Sequence, residues 1–308
     1  MEIANVEETR LSSSNSLLQA VVLGEGRGMS LEHELKVAKA LALQAGEMLR
    51  RFHHERLEQG RIRGSHETVT IPDLVVDDII VSGLRQAFPH DALSSEQSPL
   101  CWDRFECDRL WLVDALDGVG SLADRGDEFT VSIGLSIRGE AVLGVVYNPM
   151  RDELYTGSSS QHLQLNGRTF SGRPSNHGST PAARISLPRS EWGPVIENIP
   201  ELRALSSARS TSYDLARVAA RQHDGFFSLL PLREWSTCAG VALICSAEGL
   251  VSLRGLNTVT YNSEELIHSS GIIAAGTYPQ KQLIEKILAQ PAVNSLSKKL
   301  ARSSHFAA

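Results

Sequence analysis

Apolar side chains near the start of the chain recur with a helical period. From Ser30, a residue type that caps helices, they return every three or four positions as far as Phe52, which predicts an amphipathic helix. A second stretch of this kind begins at Pro72 and stops before Phe88, and proline favours the first turn of a helix. Residues 1–28, with a serine run and repeated glycines, instead predict a mobile extension whose function the sequence does not state.

The pattern then changes to short runs rich in valine, isoleucine and aromatic residues, which predict strands. These runs are residues 110–113, 129–137 and 141–147. A tight turn at 138–140 joins the last two into a hairpin.

The second half of the chain alternates short apolar runs with helical patterns. Such alternation predicts an α/β arrangement in which strands and helices form separate layers. The apolar runs are residues 226–230 and 271–275, and the helical patterns are residues 213–222, 238–247 and 280–288.

A passage rich in serine, proline and glycine, residues 171–181, predicts a boundary between two subdomains. It divides an N-terminal α+β subdomain, 29–180, from a C-terminal α/β subdomain, 181–308. The candidate chemistry lies mainly in the first of these.

Composition narrows the class of protein. The chain has 308 residues, 42% of them hydrophobic, and a formal net charge of -6, which suits a globular protein with no electrostatic attraction to nucleic acid or to an anionic membrane. No apolar run is long enough to span a bilayer. The four cysteines form no CxxC pair and the first residues lack the features of a secretory signal, so we expect a cytoplasmic protein with reduced thiols.

The strongest chemical signal is the segment 111–121, in which an apolar strand ends in two carboxylates and then glycines. Asp114 and Asp117 are close enough in sequence to face one small volume, where a cation would relieve their repulsion and oxygen ligands suit magnesium. Backbone N–H groups from Gly118 to Ser121 would favour a phosphate if a helix starts there. Taken alone, the segment also fits an ordinary acidic turn.

Further motifs occur in order on either side of this segment. Together they resemble the inositol monophosphatase superfamily, whose marks are a Glu-Glu pair, an Asp-Pro-x-Asp-Gly-Thr loop and a Trp-Asp-x-Ala-Gly helix start. The resemblance covers roughly residues 31–290, and two of its segments, Glu-Phe-Thr-Val and Tyr-Asn-x-Glu, look most like 3'(2'),5'-bisphosphate nucleotidases. The motifs lie at residues 94–97, 128–135, 144–149, 234–240 and 261–265.

The resemblance implies a layered α-β-α-β-α sandwich of the sugar phosphatase type and a magnesium-dependent phosphomonoesterase. Hydrolysis would be metal-assisted, without a covalent intermediate. The substrate would be a small phosphorylated metabolite, best matched by 3'-phosphoadenosine 5'-phosphate, which yields AMP. No nucleic-acid or membrane partner is implied, and many family members are homodimers.

Carried over position by position, the resemblance assigns a metal site. Glu96, Asp114, the Leu116 carbonyl and Asp117 match the magnesium ligands, with Glu96 and Asp117 also in catalytic roles. The amides of the turn that begins at Gly118 would hold the phosphate. Asp73 matches an acid that helps to hold a further metal-bound water, although a helix-capping carboxylate is an alternative reading. The residues matched to the phosphate-binding turn are Gly118, Val119, Gly120 and Ser121.

Four positions depart from the family pattern. Ser236 replaces the aspartate that anchors the second metal, and a neutral hydroxyl is a poor magnesium ligand. Val119 replaces a threonine that orients the attacking water, and Gln97 replaces the second glutamate of the pair. Asp214 falls where nucleotidases usually carry a lysine, and an acid there would repel a second substrate phosphate.

These departures leave more than one function open. Glu234, two residues before Ser236, would supply the missing carboxylate if it turned inward; a surface acid is the alternative. The chain is then either an active phosphatase, or an impaired or repurposed homologue that binds metal and a phosphorylated ligand. A different reaction on the same scaffold is a third and weaker reading. We favour the phosphatase, because a protein released from metal binding has no physical need for clustered acids.

Overall fold

The computed structural model describes residues 30–58, 67–98, 101–124, 126–170, 184–198, 206–255 and 258–303. Within these ranges, two sheets alternate with three layers of helices. This arrangement confirms the layered α-β-α-β-α sandwich.

Two long helices form the first outer layer. Helix α1 (Glu32–Glu58) and helix α2 (Glu67–Ala87) pack on each other and on one face of the larger sheet. The stripe of α1 that faces the core has three alanines between leucines, so the middle of the helix can approach the sheet closely. Its buried members are Leu35, Ala38, Ala42, Ala45 and Leu49.

The larger sheet has seven strands in sequence order. The first two run parallel, and every later pair is antiparallel. Both faces are covered, which explains why the central strands are almost continuously buried. The strands are β1 (Ala92–Ser95), β2 (Arg109–Asp117), β3 (Thr130–Ile137), β4 (Glu140–Asn148), β5 (Glu153–Ser158), β6 (Gln161–Leu165) and β7 (Arg168–Thr169).

The short helix α3 (Val119–Ala123) follows β2 directly. The central layer consists of α5 (Thr211–Ala219) and α6 (Cys238–Ser246), which pack between the two sheets. Their largely apolar surfaces join both sheets in one buried cluster. A 3-10 turn (Trp102–Glu106) connects β1 to β2.

The second sheet has five strands, in the order β12-β14-β10-β8-β9. An outer layer of three helices covers its far face, and a separate two-stranded ribbon pairs β11 with β13. The strands are β8 (Ile185–Pro188), β9 (Ser206–Ala208), β10 (Gly225–Phe227), β11 (Leu232–Arg233), β12 (Leu250–Leu253), β13 (Ile267–His268) and β14 (Ile272–Ala275), and the helices are α4 (Arg189–Asn198), α7 (Tyr278–Leu288) and α8 (Pro291–Ser303).

Two glycines of the larger sheet allow the start of α6 to pack closely on it. Gly134 and Gly144 pair across β3 and β4. A Cβ added at Gly144 would collide with the carbonyl oxygen of Ala239, and one at Gly134 would stand 2.7 Å from the Ala239 nitrogen. Only glycine allows the backbone of α6 to lie this close to the sheet.

The structure corrects one predicted boundary. Helix α2 begins at Glu67, so Pro72 lies inside the helix rather than at its start. Proline removes one backbone hydrogen bond from a helix interior, and burial of Val76, Ile80 and Leu84 against the core stabilises the helix despite this loss.

The hairpin prediction is confirmed. Arg138 and Gly139 both have positive φ, 52° and 83°, in the turn between β3 and β4, as a two-residue hairpin loop requires. The predicted extension 1–28 and the boundary passage 171–181 lie outside the described residues, so the division into subdomains stays a prediction. None of the described helices combines the length and apolarity that a bilayer crossing requires.

Candidate active site

Strand β2 ends in a bulge that places two carboxylates together. Asp114 pairs with Ser132 of β3, whereas Asp117 pairs with Thr130. Three steps along β2 therefore match two steps along β3, so β2 contains one extra residue. Residues three apart on a regular strand face opposite sides. The extra residue turns Asp117 back towards the side that Asp114 faces.

Asp114 is the most deeply buried acid of the site. Its Oδ2 accepts a hydrogen bond from Ser236 Oγ at 2.7 Å, and its buried Oδ1 has no hydrogen-bond partner among the described residues. Burial raises the pKa of Asp114 well above its ordinary value, and the charges of Asp117 and Glu96 raise it further. A cation beside Oδ1 would relieve all of these costs.

The segment 210–212, at the start of α5, fixes Asp117. Its Oδ2 accepts hydrogen bonds from Ser210 Oγ at 2.9 Å and from the Ser212 backbone N–H at 2.7 Å. The Thr130 hydroxyl lies 2.9 Å and 2.8 Å from the hydroxyls of those two serines. Burial raises the pKa of Asp117, while the hydrogen bonds from 210–212 oppose the rise.

Glu96 follows β1 at the rim of the same region. Its backbone N–H donates to the Val113 carbonyl at 3.2 Å, which ties it to β2. The side chain is exposed, yet the surrounding protein removes enough solvent to raise its pKa, and the charge of Asp117 adds to the rise. Glu96 and Asp117 thus affect one another electrostatically, as the sequence predicts for two acids facing one volume.

Gln97 donates a hydrogen bond that a charged glutamate could not donate. Its Nε2 donates to Asp73 Oδ2 at 2.6 Å. Burial, followed by the charges of Glu96 and Asp77, raises the pKa of Asp73 to about 7. An amide donor therefore satisfies a carboxylate that a second glutamate would repel.

Asp77 belongs to this group of acids, although the motifs did not reveal it. It is buried on α2, one helical turn after Asp73, and Ser95 Oγ donates to its Oδ2 at 3.1 Å. Burial raises its pKa. Spacing of i and i+4 on a helix places two side chains on one face, and that spacing is the signal that could have found it.

Two accessory candidates, Glu234 and Asp214, have protein partners outside the predicted metal site. Glu234 is buried, so the surface-acid alternative is wrong; its carboxylate accepts hydrogen bonds from the backbone N–H groups of Asn262, at 2.6 Å, and Ser263, at 3.1 Å. Asp214 is also buried, and its Oδ1 lies 2.9 Å from His223 Nδ1. Because this carboxylate pairs with His223, repulsion of a substrate phosphate by Asp214 stays a prediction.

The turn after β2 is only partly free to hold a phosphate. Gly118 has φ 96° and begins α3, and Val119 and Gly120 are exposed. Ser121 is buried instead, and its Oγ accepts a hydrogen bond from the Glu128 backbone N–H at 3.1 Å. Its hydroxyl therefore braces the loop before β3.

In the structure, the predicted ligands do not form a complete metal site. Across the described residues, no three His, Cys, Asp or Glu side chains are arranged to hold a metal ion. Leu116 lies in the bulge with its side chain buried, and Ser236 occupies one oxygen of Asp114. The donor set nevertheless suits a hard cation, because it consists of carboxylate oxygens, one of them buried and unpartnered.

Comparison with known proteins defines the class to which this fold and site belong. The model of the inositol monophosphatase family matches residues 30–292. The chain therefore belongs to this family, which confirms the resemblance. Enzymes of the family hydrolyse phosphoric monoesters of small molecules and generally depend on magnesium.

Individual relatives cover most of the chain. The Nus factor SuhB of Pseudomonas aeruginosa is 31% identical over 266 residues, which are 82% of this chain and 95% of the relative. Inositol monophosphatase 1 of Solanum lycopersicum is 29% identical over 240 residues, 73% of this chain and 86% of the relative. The solved inositol monophosphatase of Anabaena (Nostoc) sp. PCC 7120 superposes with a TM-score of 0.69 at 24% identity and covers 87% of this chain and 100% of that one.

Proposed function

We propose that the protein is a magnesium-dependent phosphomonoesterase acting on a small phosphorylated metabolite. The observation that carries the proposal is the pairing of Asp114 and Asp117 on the bulged end of β2, with Asp114 Oδ1 buried and unpartnered in the described structure. Two acids held together at a raised pKa cost stability unless a cation joins them. Such an arrangement supports cation binding better than it supports a structural role.

The residues that would hold magnesium are Glu96, Asp114, Asp117 and the carbonyl of Leu116. Bound there, magnesium would lower the pKa of a water molecule and neutralise charge on the phosphate ester. Asp114 is fixed by β2 and by Ser236, and Asp117 by the segment 210–212. Fixed carboxylates need little reorganisation during the reaction.

The leading candidate for the substrate is 3'-phosphoadenosine 5'-phosphate, hydrolysed to AMP. The likeness of residues 128–131 and 261–265 to the corresponding nucleotidase segments supports this choice. The strongest objection, repulsion by Asp214, is weakened because that carboxylate pairs with His223. We also propose a cytoplasmic homodimer without a nucleic-acid or membrane partner. The net charge of -6 supports the absence of these two partners, because nucleic acid and anionic membranes repel an acidic protein.

The test is phosphate release from 3'-phosphoadenosine 5'-phosphate, inositol 1-phosphate, fructose 1,6-bisphosphate and 3'-AMP, titrated with magnesium. Asp117→Asn should abolish hydrolysis while the chain stays folded, since asparagine can still accept the Ser212 hydrogen bond. Asp108→Asn is the matched control, because Asp108 is an exposed acid paired with Arg138. Wild-type activity in Asp117→Asn would refute the metal assignment.

One observation favours a second function, a homologue that binds metal and a phosphorylated ligand without hydrolysing it. Ser236 donates to Asp114 where the family pattern has an aspartate, so the second metal lacks one anionic ligand. The Pseudomonas aeruginosa relative is named a Nus factor rather than a phosphatase. If none of the four substrates releases phosphate while magnesium binds the folded protein, the non-hydrolysing function would be favoured.

A further inference from the structure

Arg209 lies between the two parts of the candidate active site. It directly precedes Ser210, which holds Asp117. Its backbone carbonyl packs on Gly118, since a Cβ added to that glycine would stand 3.2 Å from it. The arginine therefore starts beside the turn proposed to hold the scissile phosphate.

The guanidinium of Arg209 ends at the other end of α3. Its Nη1 lies 3.2 Å from Oδ2 of Asp124, the residue that follows α3. The side chain thus begins next to Gly118 and finishes beyond Ala123. An arginine in this position can reach a ligand seated on the exposed residues Val119 and Gly120 by a change of rotamer.

The ion pair that holds Arg209 is a weak one. The side chain of Asp124 is 59% exposed and that of Arg209 is 30% exposed, and ion pairs in contact with solvent contribute little to stability. Exchange of Asp124 for another anion therefore costs little.

Each of two neighbouring arginines, Arg151 and Arg217, has a further contact besides its ion pair with an acid. Arg151 makes two hydrogen bonds with Asp127, at 3.0 Å and 3.2 Å, and also lies 3.6 Å from Glu128. Arg217 lies 3.6 Å from the same glutamate and packs over the Tyr213 ring. Arg209 and Arg217 each form one ion pair, but the acid that pairs with Arg209 is 59% exposed whereas Glu128 is 26% exposed.

We propose that Arg209 exchanges Asp124 for a second anionic group of the substrate, so that the site selects small metabolites that carry an anionic group in addition to the scissile phosphate. This inference rests on the proposed function, and it names the substrate class more closely. Arginine suits the role, because its planar fork matches phosphate and carboxylate groups.

The test compares two ligands that differ by one phosphate, 3'-phosphoadenosine 5'-phosphate and 3'-AMP, in the presence of magnesium. Calorimetry gives the affinity for each, and phosphate release gives kcat/KM. Arg209→Gln should lower the affinity and kcat/KM for the bisphosphate by about tenfold and leave 3'-AMP nearly unchanged. Asp124→Asn should raise the affinity for the bisphosphate, because it removes the competing acid. Arg138→Gln is the control, since Arg138 forms an exposed pair with Asp108 at the opposite end of β3.

The outcomes separate the two claims. Equal losses for both ligands in Arg209→Gln, or no loss for either, would overturn the role of Arg209 even if hydrolysis is observed. A selective loss of bisphosphate affinity without phosphate release would support the role of Arg209 and refute the hydrolysis. Failure of both ligands to bind the folded wild-type protein would overturn both.

Discussion

Ser236 Oγ donates a hydrogen bond to Asp114 Oδ2 across 2.7 Å and so joins the segment before α6 to the bulged end of β2. The hydroxyl neutralises none of the charge of Asp114, but it occupies an oxygen that a metal ion could use. Ser236 therefore stabilises the acid in the absence of a cation and competes with the cation for the same atom. The energetic balance of the site depends on this contact.

Replacing Ser236 by aspartate should strengthen magnesium activation. A second carboxylate beside Asp114 adds an anionic ligand, and magnesium affinity rises with ligand charge and number. We expect the magnesium concentration for half-maximal phosphate release to fall by about tenfold or more, and thermal stability without magnesium to fall because like charges meet.

Ser236→Ala is the matched control, since it removes the hydrogen bond without adding charge. It should shift the magnesium titration much less than Ser236→Asp does, because it frees Asp114 Oδ2 but adds no anionic ligand. If Ser236→Asp leaves the magnesium dependence unchanged, Ser236 does not lie at a metal position.

Glu234 should prove to be a structural anchor and not a metal ligand. Its carboxylate accepts from the backbone N–H groups of Asn262 and Ser263, and a glutamine there would turn an amide N–H towards one of those donors. Glu234→Gln should therefore lower the free energy of unfolding by about 1–3 kcal/mol and leave the magnesium response unchanged. Denaturant unfolding and a magnesium titration measure the two effects.

The exposed Glu265 provides the control for that experiment. Glu265→Gln should change the free energy of unfolding by no more than about 0.5 kcal/mol. A weakened magnesium response in Glu234→Gln, with wild-type stability, would contradict the anchoring role.

The sequence predicted the layers and the main acids, because periodic apolar positions and the segment around Asp114 and Asp117 are local signals. It could not predict the bulge in β2, since residues 110–116 are all buried, are apolar apart from Asp114 and show no alternation. The partners of Glu234 and Asp214 were equally hidden. Their hydrogen bonds and ion pairs join residues that only the folded chain brings together.

Glu191 should make stability depend on pH independently of the active site. It is buried on α4, where its carboxylate accepts from the backbone N–H groups of Leu229 and Leu230. Burial raises its pKa to about 7, although these hydrogen bonds oppose the rise. A carboxyl whose pKa is raised by folding binds protons more tightly in the folded chain, so its contribution to stability is full below about pH 4 and is lost as pH rises towards 7.

Glu191→Gln removes this titration. The free energy of unfolding of the wild type, minus that of Glu191→Gln, should therefore fall by at most about 3 kcal/mol between pH 4 and pH 8. Glu197→Gln, an exposed change on the same helix, is the control, and urea unfolding at each pH is the measurement. A difference that stays constant with pH would show that Glu191 does not titrate in this range.

The packing of α6 on Gly134 and Gly144 should control both the stability of the protein and the contact between Ser236 and Asp114. A methyl group at Gly144 would collide with the Ala239 carbonyl, which is backbone and cannot rotate away. Gly144→Ala should therefore displace the start of α6 and lower the free energy of unfolding by roughly 1–3 kcal/mol. Because Ser236 lies just before α6, the magnesium dependence of phosphate release should change as well.

Gly193→Ala separates this effect from the general consequence of replacing a glycine. Gly193 lies in α4, and apart from its chain neighbours and the backbone of its own helix a Cβ there meets no described atom within 4 Å. Alanine favours a helix over glycine by about 1 kcal/mol, whereas the following Pro194 disfavours a helical residue that carries a Cβ. This variant should therefore change the free energy of unfolding by no more than about 1 kcal/mol and leave the magnesium titration unchanged. If Gly144→Ala is as stable as the wild type, α6 can shift without loss of stability. The glycine pair would then not determine the position of Ser236 relative to Asp114.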